Sequence, residues 1–271
     1  MGTQFVLLPS SAEELSVGTH STLSGLFPTN PALYSTSEAH PSLSFNRGVW
    51  LGDVTLARLG YNQSLKNKII HFGVKYSGIS NLEYRDHIPQ DNALSEFSAF
   101  GLALDAGISL SREYHKLGLS LSYLHMGLYT EHSKGLGMSF GYLYELKGGV
   151  KIGATLKNIG LMTTLISESP SLPTLLSLGL SKELKFNEYK NTVYGSLEVG
   201  KVNSKNKYYL GNQFKWNRLI ILGGFALSEE VMESSVGFGL SLNRYKVTYG
   251  IKTGTQNLGL PQIVSLMILI P

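Results

Sequence analysis

The sequence predicts an all-β fold: a transmembrane up-and-down β-barrel of about fourteen antiparallel strands, preceded by a short N-terminal helical hatch or plug. Three observations lead there. Apolar and small or polar residues alternate with period two through most of the chain. The alternating segments run near the ~9–11 residues that a tilted strand needs to cross a bilayer. Charged residues make up only 15% of the 271-residue chain, and hydrophobic residues 42%. A soluble domain covers its surface with about a quarter charged residues. A low charge count without high hydrophobicity fits a body whose outside faces lipid and whose interior is small and polar.

The alternation is regular. In "GVKIGATLK", Val150, Ile152, Ala154 and Leu156 lie on one face, with Lys151, Gly153, Thr155 and Lys157 on the other. "SVGFGLSLN" sets Val236, Phe238, Leu240 and Leu242 against Gly237, Gly239, Ser241 and Asn243. Side chains alternate faces along a strand, so each segment has one greasy face and one small or polar face. Expected strands lie near 42–48, 53–63, 69–78, 97–110, 116–127, 135–146, 149–158, 174–184, 191–199, 207–216, 218–227, 234–243, 245–253 and 263–270. Several links are very short, such as "KG" at 147–148 and "NR" at 243–244. The stretch 79–96 reads as a long polar loop. Tight turns at one end and loops at the other suit a membrane barrel. A soluble sandwich also alternates, but its wet face carries charge, whereas here that face is rich in Gly and Ser. Aromatics near segment ends (Trp50, Tyr61, Tyr129, Tyr142, Tyr144, Tyr208, Tyr209, Trp216, Tyr245) suit interface girdles.

Residues 1–40 break the pattern and read as a hatch segment; 41–271 read as the barrel. "PSSAEELSVG" places Glu13 three residues after Ser10 and Glu14 three after Ser11, two overlapping capping-box spacings. A helix near 11–16, closed by Gly18, is expected. In "NPALYS", Asn30 suits an N-cap and Pro31 the first helical position. Such a segment belongs in the lumen, where its backbone finds partners away from lipid. Lys75, Lys151, Lys157 and Lys252 are expected to point inward and pair with carboxylates such as Glu13, Glu14 and Asp105.

"FVLLPSSAEELSVG", "NPALYS", "LSFN" and "VTLARLGYNQSL", in that order, resemble the start of the PorV/PorQ family of outer-membrane barrels, nearer PorQ. "IIHFGVKYSGISNLEY" resembles a strand and loop of that family. "GVKIGATLKNIGLMTTL" with "LPTLLSLGLSKEL" resembles its Asn-(Ile/Leu)-Gly signature, followed by Leu-Pro and a new strand. The resemblance covers about residues 2–185. It implies a FadL-like barrel narrowed by its N-terminus, and it maps the Asn-Pro-Ala of the hatch onto Asn30, Pro31 and Ala32. It also implies a non-enzymatic role as an accessory or docking subunit of a type IX-like secretion and cell-surface attachment complex. The expected partners are other outer-membrane or secretion-complex proteins and lipid or lipopolysaccharide. The alternative within the same superfamily is a transporter of hydrophobic small molecules. Either reading places the chain in the bacterial outer membrane, with a signal peptide already removed. The chain ends "MILIP", without the aromatic terminal residue common in such barrels.

Other chemistry finds little support. The 23 Lys and Arg are scattered, against nucleic-acid binding, and with no cysteine there is no thiolate metal site. No stretch reaches the ~20 apolar residues of a membrane helix. His125 and His132, with Glu131, lack the tight convergent spacing of a zinc site. Asp86 and His87 beside Arg85 read as a solvated loop, and Glu229, Glu230 and Glu233 as an acidic one. "GLGMSFG" lies inside a strand pattern and not at a strand-to-helix turn, so it is no phosphate loop. No GxSxG elbow appears. No catalytic residue, cofactor or metal ligand is expected.

Overall fold

A closed, wholly antiparallel barrel is the only sheet that can meet lipid on its outside without an edge of unpaired backbone groups. The computed structural model describes residues 2–34, 40–85, 93–200, 206–255 and 259–271. Among them, fourteen strands run in chain order: β1 (Ser42–Trp50), β2 (Val54–Leu65), β3 (Lys68–Tyr84), β4 (Ser95–Arg112), β5 (His115–Leu128), β6 (Glu131–Leu146), β7 (Val150–Met162), β8 (Leu175–Phe186), β9 (Tyr189–Gly200), β10 (Asn206–Trp216), β11 (Leu219–Leu227), β12 (Met232–Leu242), β13 (Tyr245–Gly254) and β14 (Gln262–Leu269). Each pairs with its sequence neighbours. β1 closes the ring on β14, with Ser42 opposite Leu269 and Val49 opposite Gln262.

The apolar rows point outward. Phe45, Phe72, Leu104, Leu121, Leu178 and Phe238 are exposed, as a lipid-facing belt requires. The opposite face lines the lumen. The strand ends near Lys66, Glu113, Asn217 and Asn243 turn sharply with positive φ, so one mouth carries only short turns. The long links lie at the other, the loop end.

Two expectations about the wall are corrected. The region 79–96 is not all loop: β3 runs on to Tyr84 and β4 starts at Ser95, with Leu82 opposite Phe97 after a register shift. These strand ends are rich in polar residues, so they lack the greasy alternation that marked the other strands. Asp86 and His87 lie outside the described residues. Two of the nine expected girdle aromatics face the lumen instead. Tyr209 is buried against His20, and Trp50 lies under the Lys252 ammonium.

The N-terminal segment sits inside this wall. A 3-10 turn spans Thr3–Leu7, helix α1 spans Ala12–Val17, and a second 3-10 turn spans Pro31–Leu33. The Ser11 hydroxyl accepts from the Glu14 N–H and caps α1, while the Glu14 carboxylate accepts from the Ser10 N–H. Gly18, with φ of 89°, ends the helix. Only the first turn was not foreseen: Thr-Gln-Phe-Val-Leu carries no capping residue, and the turn is held by packing. α1 touches β10 to β14, and the turn at Pro31–Leu33 touches β4 to β6 on the other side.

The lumen-facing glycines explain how the segment fits. A Cβ on Gly118 would lie 2.1 Å from the Ala32 nitrogen and from the Pro31 carbonyl carbon. These are backbone atoms, so no rotamer change relieves the clash. A Cβ on Gly223 would meet nothing within 4 Å. Gly118→Ala is therefore expected to displace the N-terminal segment and raise single-channel conductance in planar bilayers, whereas Gly223→Ala leaves it at the wild-type level.

Candidate functional site

Three features of the lumen bear on function: the anchors of the N-terminal segment, an interruption in the wall, and the apolar cluster behind it.

Asn30 is the first anchor. It is fully buried, and its side-chain oxygen accepts from the Ala32 N–H at 2.9 Å, which caps the turn. Its amide donates to the Ser21 carbonyl at 2.8 Å and to the Tyr142 carbonyl of β6 at 2.9 Å. One side chain thus fixes the turn, ties it to an earlier part of the segment and fastens both to the wall. Pro31 and Ala32 press against Gly118 and Gly141, and the Ala32 carbonyl accepts from the Ser109 hydroxyl at 2.8 Å.

A second anchor lies on β2 to β4. Arg58 donates to both oxygens of Asp105 at 3.1 Å, and His71 bonds the same carboxylate at 2.7 Å. The other His71 nitrogen meets Asn62. The segment clamps this network from above: Phe27 lies over the Arg58 guanidinium at 4.2 Å, and Tyr34 stacks on His71 with ring centroids 4.5 Å apart. Lys75 donates to the Val6 and Leu8 carbonyls at 3.2 and 2.5 Å. Sequence reasoning missed this network as a unit. Its signal was His71 and Asp105 standing on faces otherwise filled by small residues.

His20 is the third anchor. Its Nε2 faces the Val17 carbonyl at 2.8 Å, which can only accept, so Nε2 carries the proton and Nδ1 accepts from the Ser196 hydroxyl at 2.8 Å. The ring stacks on Tyr194 at 5.1 Å. Burial pushes its pKa down to about 4, against the smaller upward pull of the Val17 carbonyl.

The lumenal lysines point inward, mostly toward partners other than those expected. Lys157 pairs with Glu198, Lys151 with Glu145, and Lys252 with Glu233. Asp105 holds Arg58, and Glu13 of α1 is held by Lys246. Glu233 is not in a solvated loop: it stands in the lumen between Lys207 and Lys252. His125 and His132 do meet across β5 and β6, with ring centroids 5.4 Å apart. They lie on the outer face with Phe100, opposite the lumenal Leu124 and Met126. Among the described residues, no three metal-binding side chains converge.

The wall is interrupted between β7 and β8. Their pairing stops at Lys157 opposite Leu175, although β7 continues to Met162. A bulge sits at the same height, where Met138 opposes Ile159 but Phe140 opposes Leu156, and Asn158 takes φ of 58°. The Asn158 amide donates to the Pro173 carbonyl at 3.2 Å, and the Thr174 hydroxyl donates to the Asn158 carbonyl at 3.2 Å. These bonds stitch the base of the interruption. Above them the link 163–174 covers it, with Leu161 82% and Ile166 74% exposed. Directly inside, Phe5 packs with Ala103, Leu124, Met126, Met162 and Leu172. The Thr3 hydroxyl donates to the Ser171 carbonyl at 2.7 Å, tying the N-terminal turn to the covering link.

No protein-family model and no curated protein sequence matches the chain. Solved structures do. CymD, a monoaromatic hydrocarbon channel, aligns with a TM-score of 0.64 at 12% identity, over 96% of this chain and 97% of that one. The toluene transporter TodX of Pseudomonas putida aligns at 0.62 and 12% identity, over 96% of each chain. The toluene transporter TbuX of Ralstonia pickettii aligns at 0.63 and 8% identity, over 96% of this chain and 98% of that one. The likeness is one of fold, and it extends over nearly the whole of each chain.

Two outcomes follow from the anchors. Asn30→Ala leaves buried carbonyls without donors and removes the cap. It is expected to destabilise the protein by about 2–4 kcal/mol, read from urea unfolding in detergent. His20 takes up a proton far less readily folded than unfolded. Its contribution to stability is complete above about pH 6.5 and is lost as pH falls toward 4, a span of about 3 kcal/mol. Urea midpoints measured from pH 7 to 4 are expected to fall, and His20→Gln to flatten that part of the profile.

Proposed function

We propose that the protein is an outer-membrane channel of the FadL-like kind that passes small hydrophobic molecules through its wall. The observation that carries this reading is the interruption between β7 and β8, set against a Leu, Phe and Met cluster of the lumen. A hydrophobic molecule in the outer leaflet meets Leu161 and Ile166 first. Behind the link 163–174 it finds apolar side chains and not the polar bore. Phe5 fills that position at rest, and the segment 1–40 acts as the hatch of a barrel formed by 41–271. The solved structures of like fold, which include two toluene transporters and a monoaromatic hydrocarbon channel, support the same class of cargo.

An accessory role of PorV/PorQ type in a secretion complex is the second reading. Its support is the order of N-terminal motifs and a lumen filled by the hatch, whose apolar cluster is packed around Phe5. In that role the rim meets a partner protein and nothing need pass the wall.

The chain has no cysteine, so a reversible lock can be installed cleanly. Thr3→Cys with Ser171→Cys joins the hatch turn to the covering link. Reconstituted with an entrapped solvatochromic dye, the reduced double variant is expected to admit toluene and the oxidised one to admit little, once gel mobility confirms that the disulfide has formed. Equal entry in both states would sink the lateral route. Entry no faster than through protein-free vesicles would favour the docking role.

A further inference from the structure

Three cavities stand one above another along the barrel axis, between the hatch and the wall. The upper one, about 420 Å³, lies at the loop end. The middle one, about 120 Å³, lies at the height of Arg58, Lys75 and Asp105. The lower one, about 280 Å³, lies beneath the hatch at the turn end, lined by four lysines and only two carboxylates. Ser120, Ser122 and Ser139 line the middle cavity and are only partly buried. A polar cavity of that size holds water, so the centre of the lumen is wet and not packed solid.

The boundaries between the cavities differ. Leu7, Leu8, Glu14 and Lys157 border both the upper and the middle cavity, so charged groups run from one into the other. The middle and lower cavities share only Phe27 and Pro28. The Phe27 ring lies over the Arg58 guanidinium at 4.2 Å and edge-on to His71, with centroids 5.7 Å apart. It also covers Gly60 of β2, where a Cβ would lie 2.1 Å from the ring. An apolar constriction between two wet chambers stops ions until it moves.

The lining also carries a sign. Cations outnumber carboxylates around the middle and lower cavities. Lys75 donates to the Val6 and Leu8 carbonyls, and neither Lys75 nor Lys215 of β10 makes an ion pair among the described residues. A pore wall with surplus Lys and Arg favours anions.

We infer that the lumen carries a second route, along the barrel axis, for small inorganic anions such as chloride, and that Phe27 is its gate. The route runs from the upper cavity past Glu14 and Lys157 into the middle one. It then passes the Phe27 ring into the lysine-lined cavity and leaves at the turn end. It does not depend on hydrophobic molecules crossing the wall between β7 and β8.

The test is planar-bilayer recording of the full chain across a potassium chloride gradient. Phe27→Ala is expected to raise unit conductance at least about fivefold over wild type by removing the apolar barrier. Its reversal potential is expected to lie on the chloride side. Gly60→Ala pushes the ring off its seat from the wall side and is expected to act in the same direction. Adding Lys215→Glu to Phe27→Ala is expected to lower the preference for chloride while leaving the pore open. The rise is also expected to persist when the oxidised Thr3→Cys, Ser171→Cys pair ties the hatch to the wall. Wild-type conductance in both Phe27→Ala and Gly60→Ala would overturn the inference, as would a Phe27→Ala pore that prefers potassium. Loss of the rise under the disulfide would mean that the whole hatch has to leave the lumen, and Phe27 would not be the gate.

Discussion

Every backbone N–H and C=O in the hydrocarbon layer must find a partner within the protein, because lipid offers none. The rest of this molecule follows from that demand. It forces the strands into a closed ring and turns their apolar rows outward. A ring of fourteen strands then encloses more space than its own small side chains can occupy. The N-terminal segment takes up much of that space, and its own backbone groups need partners too. They find them on the lumenal face: Ala32 with Ser109, Val6 and Leu8 with Lys75, and Ala12 with the Ser265 hydroxyl. The glycines that look wasteful in a strand let the segment's backbone come close enough for these bonds.

The wall and its filling are held by different forces. The wall is a continuous run of backbone hydrogen bonds, interrupted along β7 and β8. The filling is held by a handful of polar and aromatic anchors: Asn30, the Arg58, Asp105 and His71 network, Lys75 and His20. These anchors are side-chain contacts and take no part in the strand pairing that closes the ring. The wall interruption and the Thr3 contact to Ser171 sit near one end of the segment, and the lysine-lined cavity near the other. One short stretch of chain therefore borders both the wall interruption and the lysine-lined cavity.

Much of this was legible in the sequence, because period two is a local property. All fourteen strands lie close to where the alternation places them, and α1 and the turn after Asn30 were marked by capping residues. Legibility failed where structure depends on distant partners. Phe5 lies in a stretch with no cap and reads as an ordinary apolar residue until Leu124 and Met162 close around it. Trp50 and Tyr209 read as girdle residues because aromatic identity says nothing about which face is wet. Glu233 read as loop because three glutamates in "SEEVMESS" conceal that the last one begins an inward-facing row. The wall interruption was present only as the Asn-Ile-Gly and Leu-Pro signature, whose mechanical meaning needs the register of β7 against β8.

α1 leans on the strands next to the β1–β14 seam, while the turn at Pro31–Leu33 leans on the far side. Translation delivers this segment before any strand exists. In the folded barrel it gives both flanks of the seam a common surface, with Leu56 of β2 and Ile263 of β14 packed on Ala12 and Leu15. A change that loosens the hatch therefore also loosens the packing behind the joint that closes the ring.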